Sequence, residues 1–374
     1  MNLIVVALLF SLFLQLIFWV GLFPNIFRIK EKNYLPDEFP PVSVVICAKN
    51  EAENLAKNLK IVLFQLYPKF EVIVVDDGSD DGTSKVLEDY KSRNPHLKIV
   101  YRDSQIPKSF LGKKSALICG VEAAQYDHIA VTDADCRPFH AHWLKQGMAR
   151  MMKDTEFVLG YSPFYIQPNA LNTFARFENV LVAMHYFSLA RIGYPYMGVG
   201  RNLFFKRTTF LNKNGFEKHA NVQSGDDDLF VNALATKDNT EVVLQSESFV
   251  YTEAKSTMKD WFNQKIRHVN AGLYYKWQHL LCIHLFNMSQ VLSWCLLPIL
   301  FFIQPTYQLY LASFFILVLI AKWFVLSKAE EKLEQSSLSK NIFWLDPLYS
   351  LYLIALFLLI LLGIRPRWKE VQKA

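Results

Sequence analysis

Hydrophobic positions are distributed along this chain in three different ways. From Leu3 to Phe23 the sequence is apolar almost without interruption, broken by Ser11 and Gln15, and that length suits a helix crossing the hydrocarbon core of a membrane. From Val42 onward, short β-branched runs alternate with stretches of helical period. Strands are predicted at Val42 to Ala48, Glu71 to Val75, Leu97 to Tyr101 and His128 to Thr132, and helices at Glu51 to Gln65, Thr83 to Arg93 and Lys113 to Ala124. Asn50 and Ser79 stand near helix starts as polar capping residues. Such alternation implies a parallel sheet with right-handed crossovers, whose ligands bind beyond the carboxyl ends of the strands. Toward the C terminus, Leu285 to Ile303, Leu309 to Leu326 and Ile342 to Ile364 are each near spanning length. The stretch before them, Trp261 to His284, mixes aromatics with Lys265, Arg267, His268, Lys276 and His279, as in helices lying in the headgroup region.

The pattern divides the chain into an N-terminal anchor (1–27), a Pro-containing linker (28–40), an α/β domain (41–255), interfacial amphipathic helices (256–284), C-terminal membrane segments (285–364) and a basic tail (365–374). Arg28, Lys30 and Lys32 follow the first span at once, which assigns the α/β domain to the cytoplasm. A cleaved signal peptide is the bland alternative, but the basic n-region and a small-residue cleavage site are missing. Three later spans would leave Arg365, Arg367, Lys369 and Lys373 on the far side, against the same charge rule, so either the tail is an exception or one segment does not span, with Pro298, Pro305 and Pro347 as places for a re-entrant or interfacial piece.

Composition agrees with a membrane component: of 374 residues, 52% are hydrophobic and 15% aromatic, high for a purely soluble chain. The net charge of +6 is scattered and makes no block able to neutralise a run of phosphates, so nucleic acid is excluded as a partner. The five cysteines form no CxxC pair, which argues against a disulfide framework or a zinc site.

Candidate chemistry lies where the predicted strands end. Lys49-Asn50-Glu51 follows the first strand, Asp76-Asp77-Gly78-Ser79 the second and Asp133-Ala134-Asp135 the last. Adjacent carboxylates repel unless a cation or a hydrogen-bonding ligand offsets the cost, so their convergence at a ligand edge points to function. Asp-x-Asp on a strand end offers hard oxygen ligands to Mg2+ or Mn2+. Asp76-Asp77-Gly78 alone reads equally well as a solvated turn. A second cluster, Asp226-Asp227-Asp228, precedes an apolar helix predicted at Leu229 to Ala235; three acids exceed what a helix cap requires, and a carboxylate can take a proton from a hydroxyl. Gln264 and Arg267, at i and i+3, share a helix face able to brace a diphosphate.

The runs PPVSVVICAKNEAENL, VIVVDDGSDDGT, GKKSAL, TDADCRP, GVGRN, GDDDLF and QKIRH, in that order, resemble the inverting glycosyltransferase family 2 with its GT-A fold, over about Pro40 to Gly272. With the terminal membrane segments, the layout is similar to ceramide glucosyltransferases and to small membrane-bound bacterial members, implying an inner-membrane protein that faces the cytoplasm. The resemblance implies an α/β GT-A catalytic domain, a nucleotide-diphosphate sugar donor with UDP the commonest carrier and GDP the other choice, and a lipid or lipid-linked acceptor. Residue by residue, it implies that Ala48, Asn50, Glu51, Asp76 and Asp77 belong to the donor pocket, with Lys113 near the base or diphosphate. Asp133 would face the ribose, the phosphates or the metal, and Asp135 the metal. Asp227 matches the catalytic base, with Asp226 and Asp228 as neighbouring choices of register. Gln264, Arg267 and His268 match the family's Q-x-x-R-W, except that His268 replaces tryptophan, which weakens the competing reading of a processive polysaccharide synthase. A third reading is a nucleotide-sugar-binding protein without turnover.

Overall fold

The computed structural model describes residues 3–30, 39–102, 112–213, 215–220, 222, 224–303 and 305–363. The basic tail with Arg365, Arg367, Lys369 and Lys373, and most of the linker with Lys32, lie outside them. The chain divides into two compact units, an α/β unit of Ile29–Tyr165 and Leu189–Glu253, and a helical unit of Met1–Arg28, Ile166–Ser188 and Ala254–Ala374.

In the α/β unit the strands are β1 (Val42–Ala48), β2 (Phe70–Asp76), β3 (Leu97–Tyr101), β4 (His128–Asp133), β5 (Cys136–Pro138), β6 (Phe157–Leu159), β7 (Leu203–Lys206), β8 (Thr240–Val242) and β9 (Val250–Thr252). Seven of them form one sheet in the order β3-β2-β1-β4-β7-β6-β8, while β5 pairs with β9 apart from it. The pairs among β1 to β4 are parallel, as the alternating pattern implies, but β7 runs antiparallel to β4 and β6, so the sheet is mixed. Almost every residue of β1 is buried, which explains a continuous β-branched run where a one-faced strand would alternate. Helix Ala52–Leu63 buries Leu55, Leu59 and Val62, one stripe of helical period, against this core. Helix Lys113–Ala123 lies so close to β1 that a Cβ on Gly120 would stand 2.4 Å from Val45 Cγ1, and glycine permits the approach.

The predicted α/β domain is contiguous over 41–255; the folded unit is not. Residues Ile166–Ser188 belong to the helical unit, where helix Ala170–Arg191 is buried along most of its length and Glu178 forms a buried ion pair with Lys265. A helix apolar on nearly all sides needs helical neighbours on all sides, which the edge of a sheet does not supply.

Among the described residues, four helices in the helical unit are long and apolar enough to cross a membrane: Leu3–Arg28, Trp277–Ile303, Pro305–Lys332 and Ser339–Leu361. The predicted interfacial region 256–284 resolves differently: Met258–Gly272 is a separate helix, whereas 277–284 are the first turns of Trp277–Ile303. No helix breaker follows Trp277 until Pro298, and Leu280, Leu281 and Ile283 extend the apolar run. Pro298 and Pro347 both lie inside continuous helices, so neither marks a re-entrant break.

A polar network links these helices. Lys322 Nζ lies 2.9 Å from Asp346 Oδ2 and 2.6 Å from Gln290 Oε1, Trp294 Nε1 donates to Asp346 at 2.7 Å, and Lys322 and Asp346 are 1% and 2% exposed. Gln15 donates to Ser289 Oγ at 2.8 Å, drawing the first helix toward the second. Removing one partner of a buried pair strands the other charge at a cost of about 3–5 kcal/mol, whereas apolar replacement of both is nearly neutral. Asp346→Ala should therefore lower the thermal midpoint in detergent by several degrees, and Lys322→Met combined with Asp346→Leu should recover most of the loss; equal destabilisation by both variants would remove the pair from this role.

Candidate active site

The carboxyl ends of β1, β2 and β4 form one edge because the register puts Ala48 opposite Asp76 and Cys47 opposite Asp133. The loops after β1 and β2 are knitted together there. Asn50, in left-handed backbone at φ 56°, donates its N–H to Ser79 Oγ at 3.0 Å and accepts from Asp80 N–H at 2.9 Å. Glu51 N–H donates to Thr83 Oγ1 at 3.0 Å. Asp76 is 2% exposed, and its carboxylate accepts from Ser79 N–H at 3.0 Å and Ser84 Oγ at 2.6 Å, so both oxygens serve the turn. Asp77 follows with its carboxylate paired to the Arg102 guanidinium; burial raises its pKa and Arg102 lowers it. Ala48 is buried at the strand end.

Lys113 opens the next helix, and its ammonium pairs with Asp133 and lies 3.6 Å from Asp226 Oδ2. One cation thereby joins the end of β4 to the second acidic cluster. The Cys47 thiol, pushed up to about 12 chiefly by burial, feels Lys113, Asp226, Asp133 and Asp77 together, so all four charges converge on the end of β1.

The three consecutive acids do different things. Asp227 occupies the N-cap position of helix Asp228–Leu234 but makes no side-chain cap; its carboxylate accepts instead from Gly200 N–H, in the GVGRN run. Desolvation, then the like charge of Asp226, raises its pKa to about 6, against the opposing pull of Gly200 N–H and Lys113. Asp228 turns inward, 8% exposed, and accepts from Leu229 N–H at 2.8 Å. Asp226 faces Lys113.

For a divalent cation, ligand atoms of Asp133, Asp135 and Cys136 lie within 4.8 Å of one another. Two carboxylates at that spacing fit Mg2+ or Mn2+, whose oxygen ligands stand about 2.0–2.6 Å away. The Cys136 thiol does not belong to such a set: it is 1% exposed, burial holds its pKa well above the ordinary value, and a hard cation prefers oxygen.

Gln264, Arg267 and His268 belong to the helical unit, on helix Met258–Gly272, with Gln264 and Arg267 partly buried and His268 exposed. Sequence reasoning passed over Lys114, Arg102 and Asn202. Asn202, 0% exposed, donates to the carbonyls of Tyr161 and Ser248, each at 2.8 Å, and accepts from Trp143 Nε1 at 2.9 Å, fixing the GVGRN turn. A signal existed for Lys114: it shares a helical stripe with Leu117 and Val121, where a lysine is out of place.

Residues 43–211 match the family model described as Glycosyl transferase family 2, and residues 128–327 that described as Glycosyl transferase family group 2. The chain is 34% identical over 142 residues to glycosyltransferase AglE of Haloferax volcanii, covering 37% of this chain and 45% of that protein. It is 31% identical over 136 residues to poly-beta-1,6-N-acetyl-D-glucosamine synthase of Staphylococcus epidermidis, covering 34% of this chain and 32% of the relative. The matches thus span less than half the length of these curated relatives. Among solved structures, a mannosyltransferase, PcManGT from Pyrobaculum calidifontis in complex with GDP-Man and Mn2+, shares the fold with a TM-score of 0.60 at 17% identity, over 97% of this chain and 99% of that one.

A carboxyl whose folded pKa is raised above its unfolded value costs stability once ionised, and the cost grows as pH rises toward the folded pKa and is complete above it. With Asp227 at about 6, the thermal midpoint of Asp227→Asn relative to the parent should therefore rise from pH 5 to pH 8. A pH-independent difference in thermal scans would contradict the assignment.

Proposed function

The chain belongs to glycosyl transferase family 2 and is a transferase, and from that premise we propose that it moves a sugar from a nucleoside-diphosphate donor to a lipid or lipid-linked acceptor, with inversion at the anomeric carbon. The observation that carries this reading is the ammonium of Lys113 held between Asp133 and Asp226, beside the half-buried Asp227. A cation among carboxylates at a sheet's ligand edge can turn to a diphosphate, and the carboxylate next to it can serve an acceptor hydroxyl.

In this mechanism Asp227 takes the acceptor hydroxyl's proton while that oxygen attacks the anomeric carbon and the bond to the diphosphate oxygen breaks, its electron pair leaving with the diphosphate. Lys113 stabilises the charge that develops there. Asp133 and Asp135 would hold Mg2+ or Mn2+, which when bound supplies positive charge to the leaving group. Ala48, Asn50, Glu51 and Asp77 form the nucleoside side, with Asp76 holding the turn that presents Asp77. On the helical unit, Gln264 and Arg267 carry N–H donors suited to a diphosphate, and His268 stands where the family motif has tryptophan. The likeness of the neighbouring fold to a GDP-mannose complex keeps GDP beside UDP as the carrier. Candidate membrane spans favour an acceptor dissolved in the bilayer, and Arg28, Lys30 and Lys32 after the first span favour a catalytic domain on the cytoplasmic side of a bacterial inner membrane. A processive polysaccharide synthase is the second reading, favoured by the likeness to such an enzyme over part of the chain.

The test is a screen of UDP- and GDP-sugars on protein in lipid nanodiscs with native lipid extract and Mg2+ or Mn2+, following nucleotide release and lipid mass. A lipid gaining one sugar mass is expected; long polymer would decide for the synthase, and nucleotide binding without release for a binding protein. Asp135→Ala and Asp227→Asn should each lower turnover by at least about 100-fold while the protein stays folded. Because the base works ionised, kcat/KM should climb about tenfold per pH unit below about 6 and level off above it. A flat profile through pH 5–7 would remove Asp227 from that role.

A further inference from the structure

Lys114 is 1% exposed, although lysine is among the residues most rarely buried. Its ammonium donates to three backbone carbonyls, those of Val222 at 2.5 Å, His219 at 2.8 Å and Ser224 at 2.9 Å, and lies 5.8 Å from the centre of the Phe216 ring. Three N–H groups thus meet three acceptors, every one from the segment that leads into Asp226, Asp227 and Asp228 and none from its own helix. The same three carboxylates attract it, offsetting part of the burial cost.

We propose that Lys114 is a positioning residue of the transfer site, tying the loop ahead of Asp226, Asp227 and Asp228 to the helical turn that presents Lys113. The two neighbouring lysines divide the work: Lys113 holds Asp226 and Asp133 by their carboxylates, and Lys114 holds the backbone that delivers the acids. An apolar side chain would fill the same space without constraining the loop, and the three carbonyls would lose the ammonium that ties them to the helix. Proton abstraction requires the base and the acceptor oxygen within hydrogen-bond reach, so a loop loosened by about 1 Å costs rate rather than donor affinity. The inference rests on the reading of Asp227 as the base.

The experiment compares Lys114→Met, Lys114→Gln and Asp227→Asn with the parent in nanodiscs, measuring kcat, donor KM, UDP and GDP binding, and amide hydrogen exchange. For Lys114→Met, kcat should fall about 10- to 100-fold with donor KM within about threefold, and exchange should quicken in peptides covering 216–226 while the sheet stays protected. Lys114→Gln, which keeps two donors, should fall between the two. Should the Met variant fail to bind nucleotide or lose protection throughout, the Gln variant carries the same comparison. Parental kcat in either folded variant overturns the proposal, whether or not the loop exchanges faster, and so does a loss confined to donor KM. If Asp227→Asn keeps parental activity, the reading of the base fails; if it is inactive while Lys114→Met turns over normally, only the positioning role fails.

Discussion

Carboxylates gathered at the end of a parallel sheet repel one another, and joining Asp133 to the second acidic cluster takes a cation between them. Lys113 supplies it. Its ammonium lies against Asp133 and 3.6 Å from Asp226, so the end of β4 and the second acidic cluster are joined through one side chain. With both acids engaged, Asp227 is left beside a like charge in a desolvated setting, where its proton is held more tightly than an ordinary aspartate's. A resting site of this kind is also a preorganised one, because the positive charge that offsets the carboxylates stands ready for an incoming diphosphate.

The scaffold follows from the same need. β1, β2 and β4 end level with one another because they are parallel and in register, and the Ser79, Asp80 and Thr83 contacts with Asn50 and Glu51 bind the first two loops into one surface. Gly120 lets the helix that begins at Lys113 lie against β1, which brings the lysine to the edge. In the helical unit, Lys322, Asp346 and Gln290 satisfy one another among membrane helices, where an unpartnered polar group would be costly.

The parallel strands, the crossover helices and the acidic clusters were legible because each is local: a period, a turn residue, a run of three acids. Pairings between distant segments were not. Nothing in GKKSAL announces that Lys113 reaches Asp226, and nothing in GVGRN that a glycine N–H holds Asp227, since both contacts depend on how the sheet is closed. The Lys114 cage is harder still to read, because its acceptors are backbone carbonyls, which every sequence offers equally. The departure of Ile166–Ser188 from the α/β unit was hidden for another reason: an apolar helix does not state which neighbours will cover it. Asp76 shows the converse, an acid of the right motif whose oxygens are spent on its own turn.

The most direct test is a structure determined in nanodiscs with UDP or GDP and Mn2+. The account predicts diphosphate density against Lys113, with the lysine drawn from Asp133 toward the phosphates, the cation on Asp133 and Asp135, and Asp227 still held by Gly200 N–H. A nucleotide bound elsewhere, with Lys113 still clamped between Asp133 and Asp226, would contradict it.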